Sequence, residues 1–142
     1  MKIAFCGHGD IPTEESDVLK EKLRKTVIEL IEGGAREFLL GGYGDFDKMC
    51  AKTVYQLKDE YPHIKSVLVI PYLDREYNMS LYDISEYPPI NTPRRFAILK
   101  RNEYMVEQAD AVVAWVRYSF GGARKTYEYA KRKKKKIINL AE

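Results

Sequence analysis

The stretch RNEYMVEQADAVVAWVRYSFGGARKTYE, residues 101–128, decides the fold of this chain of 142 residues. It predicts a helix, a strand, a glycine turn and a second helix, in that order. The strand Ala111–Val116 is a nearly continuous apolar run, which is typical of a parallel strand covered on both faces. Ligands of open α/β sheets lie outside the carboxyl ends of the strands, where a helix N terminus attracts anions. We therefore expect this stretch to contribute to a ligand pocket, with Arg101 as a cation and Glu128 as a carboxylate.

The rest of the chain repeats the alternation of strand and helix. Further strands are predicted at Lys2–Cys6, Phe38–Leu40, Val67–Ile70 and Ile137–Leu140, and further helices from Thr13 to Gly33, from Phe46 to Tyr61 and from Arg94 to Gln108. This order predicts an α/β fold, a single Rossmann-like domain over residues 1–142 with a five-stranded parallel sheet and helices on both faces. Residues 72–94, rich in Tyr and Pro, are expected to form a long irregular loop, which is usually functional or mobile.

Composition favours a globular protein of the cytoplasm. The formal charge of +3 does not by itself indicate a nucleic-acid binder, and much of the excess lies in the run Lys131–Lys136. That run is expected to complement a helix dipole at the end of the last helix. The cysteines, Cys6 and Cys50, match no metal or disulfide spacing, so we expect reduced thiols. Met1 leads directly into the first strand, which leaves no room for a signal peptide, and no apolar run approaches a membrane span.

Glycine-bearing turns follow the first, second and fourth predicted strands. They are Gly7-His8-Gly9, Gly41-Gly42-Tyr43-Gly44 and Gly121-Gly122. Glycine lets backbone N–H groups approach a phosphate closely. Since the carboxyl ends of parallel strands share one edge of a sheet, the three turns predict a site for phosphate or pyrophosphate. The alternative is that these glycines serve tight packing only. The turns match neither a Walker loop nor a Gly-x-Gly-x-x-Gly fingerprint.

Other polar residues near these turns are weaker candidates. His8 and Asp10 are expected to contact ribose hydroxyls or transfer protons, although turn and cap duties account for the same residue types. Asp45 and Asp47 are expected to cap the second helix, with a ribose contact as the alternative. Cys6 is interpreted as a core residue rather than a reactive thiol. The tyrosines of the 72–94 loop either stack on a base as a lid or pack on the core or a subunit interface.

The motifs of residues 101–128 resemble those of the SLOG superfamily, which includes the LOG-type phosphoribohydrolases, the DprA/Smf proteins and small YpsA-like proteins. The resemblance is carried by Arg101-Asn102-Glu103-Tyr104-Met105, by Asp110, by Gly121-Gly122 and by Glu128. It implies that Arg101 and Glu128 are a catalytic pair, that Arg124 and Lys125 stand in the phosphate-binding turn, and that Gly41–Gly44 is a second glycine-rich turn. A homo-oligomer, a dimer or larger, is expected from this resemblance alone.

The sequence departs from the LOG pattern within the residues that would bind the phosphate. Asn102 replaces a lysine, no proline precedes Gly121, and Arg124-Lys125 replace Gly-Thr. These differences weaken the transfer of hydrolase activity more than the transfer of nucleotide binding. Even the favoured residues have simpler interpretations, because Glu128 fits a solvated helix carboxylate and Arg101 fits a surface ion pair.

Three functions follow from these observations. The favoured one is binding of a nucleotide-derived small molecule, such as a nucleoside monophosphate, ADP-ribose or an NAD derivative. The second is an enzyme that cleaves or transfers the N-glycosidic bond of nucleoside 5′-monophosphates, as a phosphoribohydrolase or a deoxyribosyltransferase, with Glu128 stabilising an oxocarbenium-like transition state. The third, DprA-like nucleic-acid binding, rests only on the Lys131–Lys136 run. No cofactor, metal or membrane partner is expected.

Overall fold

A computed structural model describes residues 1–142 and consists of parallel strands alternating with helices. The strands are β1 (Lys2–Gly7), β2 (Glu37–Leu40), β3 (Lys65–Val69), β4 (Ile84–Glu86), β5 (Ala111–Trp115) and β6 (Lys136–Asn139). The helices are α1 (Thr13–Glu32), α2 (Asp45–Leu57), α3 (Ala97–Gln108) and α4 (Gly122–Arg132), with one 3₁₀ turn at Arg94–Phe96. All strands join one parallel sheet in the order β4-β3-β2-β1-β5-β6.

The predicted Rossmann-like α/β fold is confirmed, but the predicted count of five strands is wrong. The sixth strand, β4, lies inside the 72–94 segment that was expected to be irregular, and it pairs with β3 in parallel. Its three residues show no apolar alternation, and Ile84 is exposed. Backbone pairing holds the strand in place, since Asp83 N–H donates to Ser66 O at 3.0 Å and the Asp83 carboxylate accepts from Ser66 N–H at 2.8 Å.

Side chains alternate along the central strands to form two cores. Ile3 and Phe5 pack against the apolar faces of α1 and α2, whereas Ala4 and Cys6 pack against α3 and α4. The period of two in β1 therefore separates the helices into two layers. Because the chain moves from β1 to β2 on one side and later enters β5 on the other, strand order reverses at β1. This reversal creates a crevice at the carboxyl edge.

Helix boundaries differ from the prediction by a few residues. Helix α2 ends at Leu57 rather than Tyr61, and α3 begins at Ala97 after the 3₁₀ turn. The basic run does not stay in the last turn of α4, because the helix ends at Arg132 and Lys134 adopts a φ of 58° before β6 begins. None of the helices combines the length and apolarity that crossing a bilayer requires.

The first two glycine turns are fastened to each other. Asp45 N–H donates to Gly9 O at 2.8 Å, and Ile11 N–H donates to the Asp45 carboxylate at 3.0 Å. Gly44 begins α2 with a φ of +92°, and a β-carbon at this position would lie 2.7 Å from the Gly9 α-carbon. Only glycine satisfies both the left-handed conformation and this close backbone approach.

Replacing Gly44 with Ala is expected to lower the free energy of unfolding by about 1–3 kcal/mol, because the methyl group meets backbone that cannot move aside. Chemical denaturation monitored by circular dichroism measures the difference. Gly9→Ala is the matched control, since a β-carbon there has no neighbour within 4 Å. Equal stability of the two variants would contradict this account of the paired turns.

Candidate functional site

A cavity of about 660 Å³ opens at the carboxyl ends of β1, β2 and β5, where strand order reverses. The three predicted glycine turns all contribute to its wall, and side chains from α2, α3 and α4 complete it. Of the residues predicted for the site, nine line this cavity: Gly7, His8, Gly9, Asp10, Gly41, Tyr43, Arg101, Gly121 and Gly122. The structure therefore brings the glycine turns together around one space.

Five of the predicted residues lie outside the cavity wall: Gly42, Gly44, Arg124, Lys125 and Glu128. Gly42 packs against the sheet, because a β-carbon there would meet Leu68 at 2.7 Å, and Gly44 serves the contact with Gly9 described above. These two glycines serve tight packing, which is the alternative to phosphate binding that the sequence leaves open for all of the turns.

Glu128 is separated from the cavity by the geometry of α4. The cavity contacts Gly122, Ala123 and Thr126. Glu128 stands two residues beyond Thr126, about 200° around the helix at roughly 100° per residue. Its carboxylate forms a partly exposed i,i+4 ion pair with Arg124, at 3.1 Å from Nε. The predicted catalytic pair of Arg101 and Glu128 therefore does not share a cavity.

Asp110, which aligned with the superfamily's aspartate, lies at the opposite edge of the sheet. It precedes the amino end of β5, and its carboxylate accepts from Lys2 N–H at 2.8 Å. Asp110 N–H in turn donates to Lys2 O at 2.8 Å. This exchange sets the start of β5 beside the start of β1, so Asp110 acts on the sheet and not on the site.

The N terminus of α4 presents uncapped amides to the cavity. Gly121 precedes the helix with a φ of +94°, no side chain caps the first turn, and that turn contains no acidic residue. The other helices that follow glycine or proline turns at this edge differ, since α1 carries Glu14 and Glu15 and α2 carries Asp45 and Asp47 in their first turns. Helix α4 is therefore the helix start best suited to an added anion.

Arg101 is a buried cation held by oxygen atoms of the backbone. Its side chain is only 3% exposed, and Nη1 donates to Gly41 O at 2.9 Å and to Val69 O at 2.7 Å. Nε donates to the Asn102 side chain at 2.8 Å, while Nη2 has no partner within the protein. Burial lowers the pKa of this guanidinium, although the nearby Asp47 carboxylate opposes the shift. The alternative of a surface ion pair is wrong.

Asp47 is the carboxylate that the structure brings to Arg101. Gly41 lies between them, since a β-carbon built there would be 3.1 Å from Asp47 Oδ2 and 3.3 Å from Arg101 Nη2. Burial raises the pKa of Asp47 from 3.8 to about 6, against the lowering effects of a hydrogen bond from Tyr43 N–H and of Arg101. The expected capping role is wrong, because the N-cap is Gly44 and no side chain caps α2.

His8 fastens the third turn to the first. Its Nε2 accepts hydrogen bonds from the backbone N–H groups of Arg117 and Tyr118, at 3.0 and 3.2 Å. Both contacts require a neutral ring that carries its proton on Nδ1. Burial lowers the pKa of His8, and the positive charges of Arg117 and Arg124 lower it further. A proton-transfer role through Nε2 is therefore excluded while this loop is in place.

Aromatic side chains stand at the mouth of the cavity, and Tyr43 is the only one of them that the sequence predicts for the site. Tyr43 is 75% exposed and Phe120 is 70% exposed, and the Phe120 ring stacks on Tyr118 with centroids 5.6 Å apart. Tyr118 and Phe120 flank the glycine turn, but their ring direction depends on loop geometry that residue types do not specify. None of the tyrosines in the 72–94 segment lines this cavity.

Cys6 lies on the cavity floor with its thiol protonated. Burial raises its pKa to about 12, and the negative charge of Asp47 acts in the same direction. Neither Cys6 nor the other cysteine, Cys50, forms a disulfide, and both are buried. The interpretation of Cys6 as a core residue fits these surroundings, whereas a nucleophilic thiolate does not.

The sequence of this chain is similar to a family profile and to known bacterial proteins. A sequence profile described as the YspA SLOG family matches residues 11–140. The uncharacterized SPbeta prophage-derived protein YoqJ of Bacillus subtilis is 29% identical over 140 aligned residues, covering 80% of this chain and 81% of that protein. A UPF0398 protein of Bacillus pumilus is 28% identical over 111 residues, covering 68% of this chain and 59% of its own length.

Two solved structures share the fold. DNA processing protein A from Helicobacter pylori, described for its single-stranded DNA binding mode, superposes with a TM-score of 0.67 at 20% identity over 100% of this chain and 67% of its own. DNA processing protein A from Streptococcus pneumoniae gives a TM-score of 0.69 at 18% identity over 96% of this chain and 48% of its own. This chain thus spans about half of the pneumococcal protein.

Replacing Asp47 with Asn is expected to stabilise the protein at neutral pH. Because the folded-state pKa is raised, the folded protein binds more protons at Asp47 than the unfolded chain does between pH 3.8 and about 6. The stability linked to this carboxyl is fully present below that window and is lost as the pH rises through it. The amide oxygen of Asn still accepts from Tyr43 N–H.

Thermal unfolding between pH 4 and pH 7.5 measures the effect. The melting temperature of Asp47→Asn should exceed that of the unchanged protein at pH 7.5, and the gap should close toward pH 4. Asp59→Asn, at an exposed position, is the control for removing one carboxylate. A gap that is independent of pH would contradict the assignment of the raised pKa.

Proposed function

Because this chain belongs to the YspA SLOG family, we propose that it binds a nucleoside 5′-phosphate or a derivative of one in the 660 Å³ cavity. The uncapped N terminus of α4 carries this proposal. It opens onto a cavity that Arg101 also lines. The α4 dipole and the Arg101 charge would therefore attract the same anionic ligand. The nucleotide-related fold of the family supports the same class of ligand.

The phosphate is assigned to the Gly121–Ala123 amides. These residues line the cavity, and no side chain of the protein occupies their N–H groups. Glycine at the first two positions leaves the approach open, since a β-carbon at Gly121 or Gly122 would have no neighbour within 4 Å. A dianionic phosphate accepts several such amide hydrogen bonds at once, and it is stabilised by the helix dipole.

The sugar and base are assigned to the two sides of this anion. Asp10 and Asp47 line the cavity with carboxyl groups that accept hydrogen bonds from ribose hydroxyls. Phe120 and Tyr43 present exposed rings at the mouth, where a planar base gains stacking energy without requiring a particular base. This division leaves the identity of the base to residues at the rim.

Gly122→Asp is expected to weaken AMP binding at least about tenfold, because the new carboxylate lies where the phosphate is proposed to bind and repels it. An acidic residue in the first helical turn favours the helix, so the melting temperature should hold or rise. Isothermal titration calorimetry with AMP measures the affinity. Gly122→Asn is the matched control, since it has nearly the same size without the charge.

Two outcomes would contradict the proposal. AMP affinity that is equal in Gly122→Asp and Gly122→Asn would remove the phosphate from the start of α4. Salt-sensitive binding of a single-stranded oligonucleotide, without binding of AMP, would instead favour the ligand described for the Helicobacter pylori protein.

The Asp47–Arg101 pair favours a second candidate function, cleavage of the N-glycosidic bond of the bound nucleotide. With its pKa raised to about 6, Asp47 carries a proton in part of the molecules near neutrality. Protonated, it can donate its proton to the departing base; once ionised, it can stabilise the oxocarbenium-like sugar until a water molecule adds to the sugar carbon. Arg101 Nη2 supplies positive charge beside it. In this second function Asp47 takes the carboxylate role that the sequence predicts for Glu128.

Release of free base from AMP, followed by chromatography, tests this second function. Activity should fall at least about 100-fold in Asp47→Asn, which removes a general acid or base. Glu128→Gln is the matched control, because it removes a carboxylate outside the cavity and should retain the activity. Loss of activity in Glu128→Gln but not in Asp47→Asn would restore the pair predicted from the sequence.

A further inference from the structure

A second cavity of about 270 Å³ lies on the other side of Arg101. Its wall comes from residues 71–94 and from the first turns of α3, and it contains no glycine turn. Arg101 is the one residue that lines both cavities. The 72–94 segment, which departs most from the predicted strand-and-helix order, therefore has a defined space next to the candidate site.

Hydrogen bonds hold the guanidinium of Arg101 between the larger and the smaller cavity. Nη1 bonds to the carbonyl oxygens of Gly41 and Val69, which follow β2 and end β3. This places a nearly buried cation at the carboxyl edge of the sheet, with Nη2 free of protein partners. Since no fully buried side-chain nitrogen or oxygen lacks a hydrogen-bond partner, Nη2 keeps contact with open space, where an acceptor can reach it. The free Nη2 is therefore suited to an anionic group lying between the cavities.

The second cavity is also positive in charge. Three cations line it, Arg94, Lys100 and Arg101, against one carboxylate, Asp74. Arg94 Nη1 bonds to both oxygens of Asp74, at 2.9 and 3.1 Å, so that pair is internally neutral. Lys100 pairs with Glu103 at 3.3 Å, outside the wall, so Arg101 is the one cation of the wall without an ion pair. Such a wall favours phosphate over a neutral group.

Aromatic rings define the shape of this space. Tyr72 is fixed by Arg75 and Arg94, which lie 4.7 and 4.3 Å from its ring centroid. Tyr87, from the end of β4, is exposed and forms another part of the wall. A volume of about 270 Å³ accommodates a sugar phosphate, but it is smaller than the nucleotide-sized space across Arg101.

We infer that the two cavities bind the two halves of one ligand, a nucleotide whose phosphate carries a second phosphorylated sugar. The nucleoside 5′-phosphate occupies the larger cavity, the second phosphate contacts Arg101 Nη2, and the sugar that this second phosphate carries lies beside Lys100. This inference rests on the proposed nucleotide binding and specifies its ligand class. It assigns the 72–94 segment the role of selecting the second half.

Calorimetric titration with AMP, ADP-ribose and ribose 5-phosphate tests the inference. ADP-ribose should bind about tenfold or more tightly than AMP, because it adds contacts in the second cavity. Lys100→Glu should weaken ADP-ribose about tenfold while AMP affinity stays within about twofold, since Lys100 lines only the second cavity. Tyr87→Ala should act in the same direction without changing charge. Lys52→Glu, an exposed charge reversal on α2, is the matched control.

The outcomes separate this inference from the proposed function. Equal affinities for AMP and ADP-ribose, both unchanged in Lys100→Glu, would overturn the two-part ligand and leave nucleotide binding intact. An equal loss of ADP-ribose affinity in Lys52→Glu would mean that any charge reversal on the surface has this effect, and it would also overturn the two-part ligand. Binding of ribose 5-phosphate that is lost in Lys100→Glu, without AMP binding, would support the second cavity while refuting the proposed function.

Discussion

The parallel pairing of β1 with β2 on one side and β5 on the other is the constraint from which the site follows. Because all three strands run in the same direction, the turns that leave them emerge at one edge. The chain order then reverses at β1, so the helices after β1 and β2 lie on one face while α4 lies on the other. A crevice remains between them, and no single turn could form it.

The electrostatic potential in this crevice depends on Arg101, a cation whose hydrogen bonds go to carbonyl groups and not to a carboxylate. Arg101 gives up water for carbonyl oxygens, which hold its position without cancelling its charge. A carboxylate partner in contact would have neutralised it. Asp47 lies near enough to interact but remains costly to ionise, as its raised pKa shows. The protein keeps a carboxyl group where it opposes stability, which is characteristic of functional sites.

How much the sequence predicts depends on the range of the interaction. Apolar runs such as Ala111–Val116 identify strands because burial on two faces acts through the residues themselves. The strand β4 was missed because its pairing comes from a distant neighbour, Ser66, and leaves no apolar pattern. The glycine turns were placed correctly around one space, since parallel topology alone brings them together.

The spacing of the motifs does not determine whether Glu128 or Asp47 is the carboxylate that lies near Arg101. Both carboxylates occupy first or second turns of helices near glycine turns, and their sequence surroundings are alike. The position of each residue around the helix excludes Glu128. Thr126 faces the cavity, and Glu128, two residues further along α4, lies on the opposite side of the helix. For Asp47 the deciding fact is the position of Arg101, a residue more than fifty positions away whose side-chain path no local pattern describes.

The attachment of the three turns is unequal, and this bears on how a molecule enters. The β1 and β2 turns are joined through Gly9, Gly44 and Asp45 into one rigid wall. The β5 turn is held there by the His8 imidazole, through two amides, and by the ion pair of Arg117 with Glu15 of α1. Movement of the β5 turn away from the other two requires breaking those two hydrogen bonds and that ion pair, and it would carry the rings of Tyr118 and Phe120 outward. The residues that hold this turn would therefore govern both the entry and the recognition of the proposed ligand.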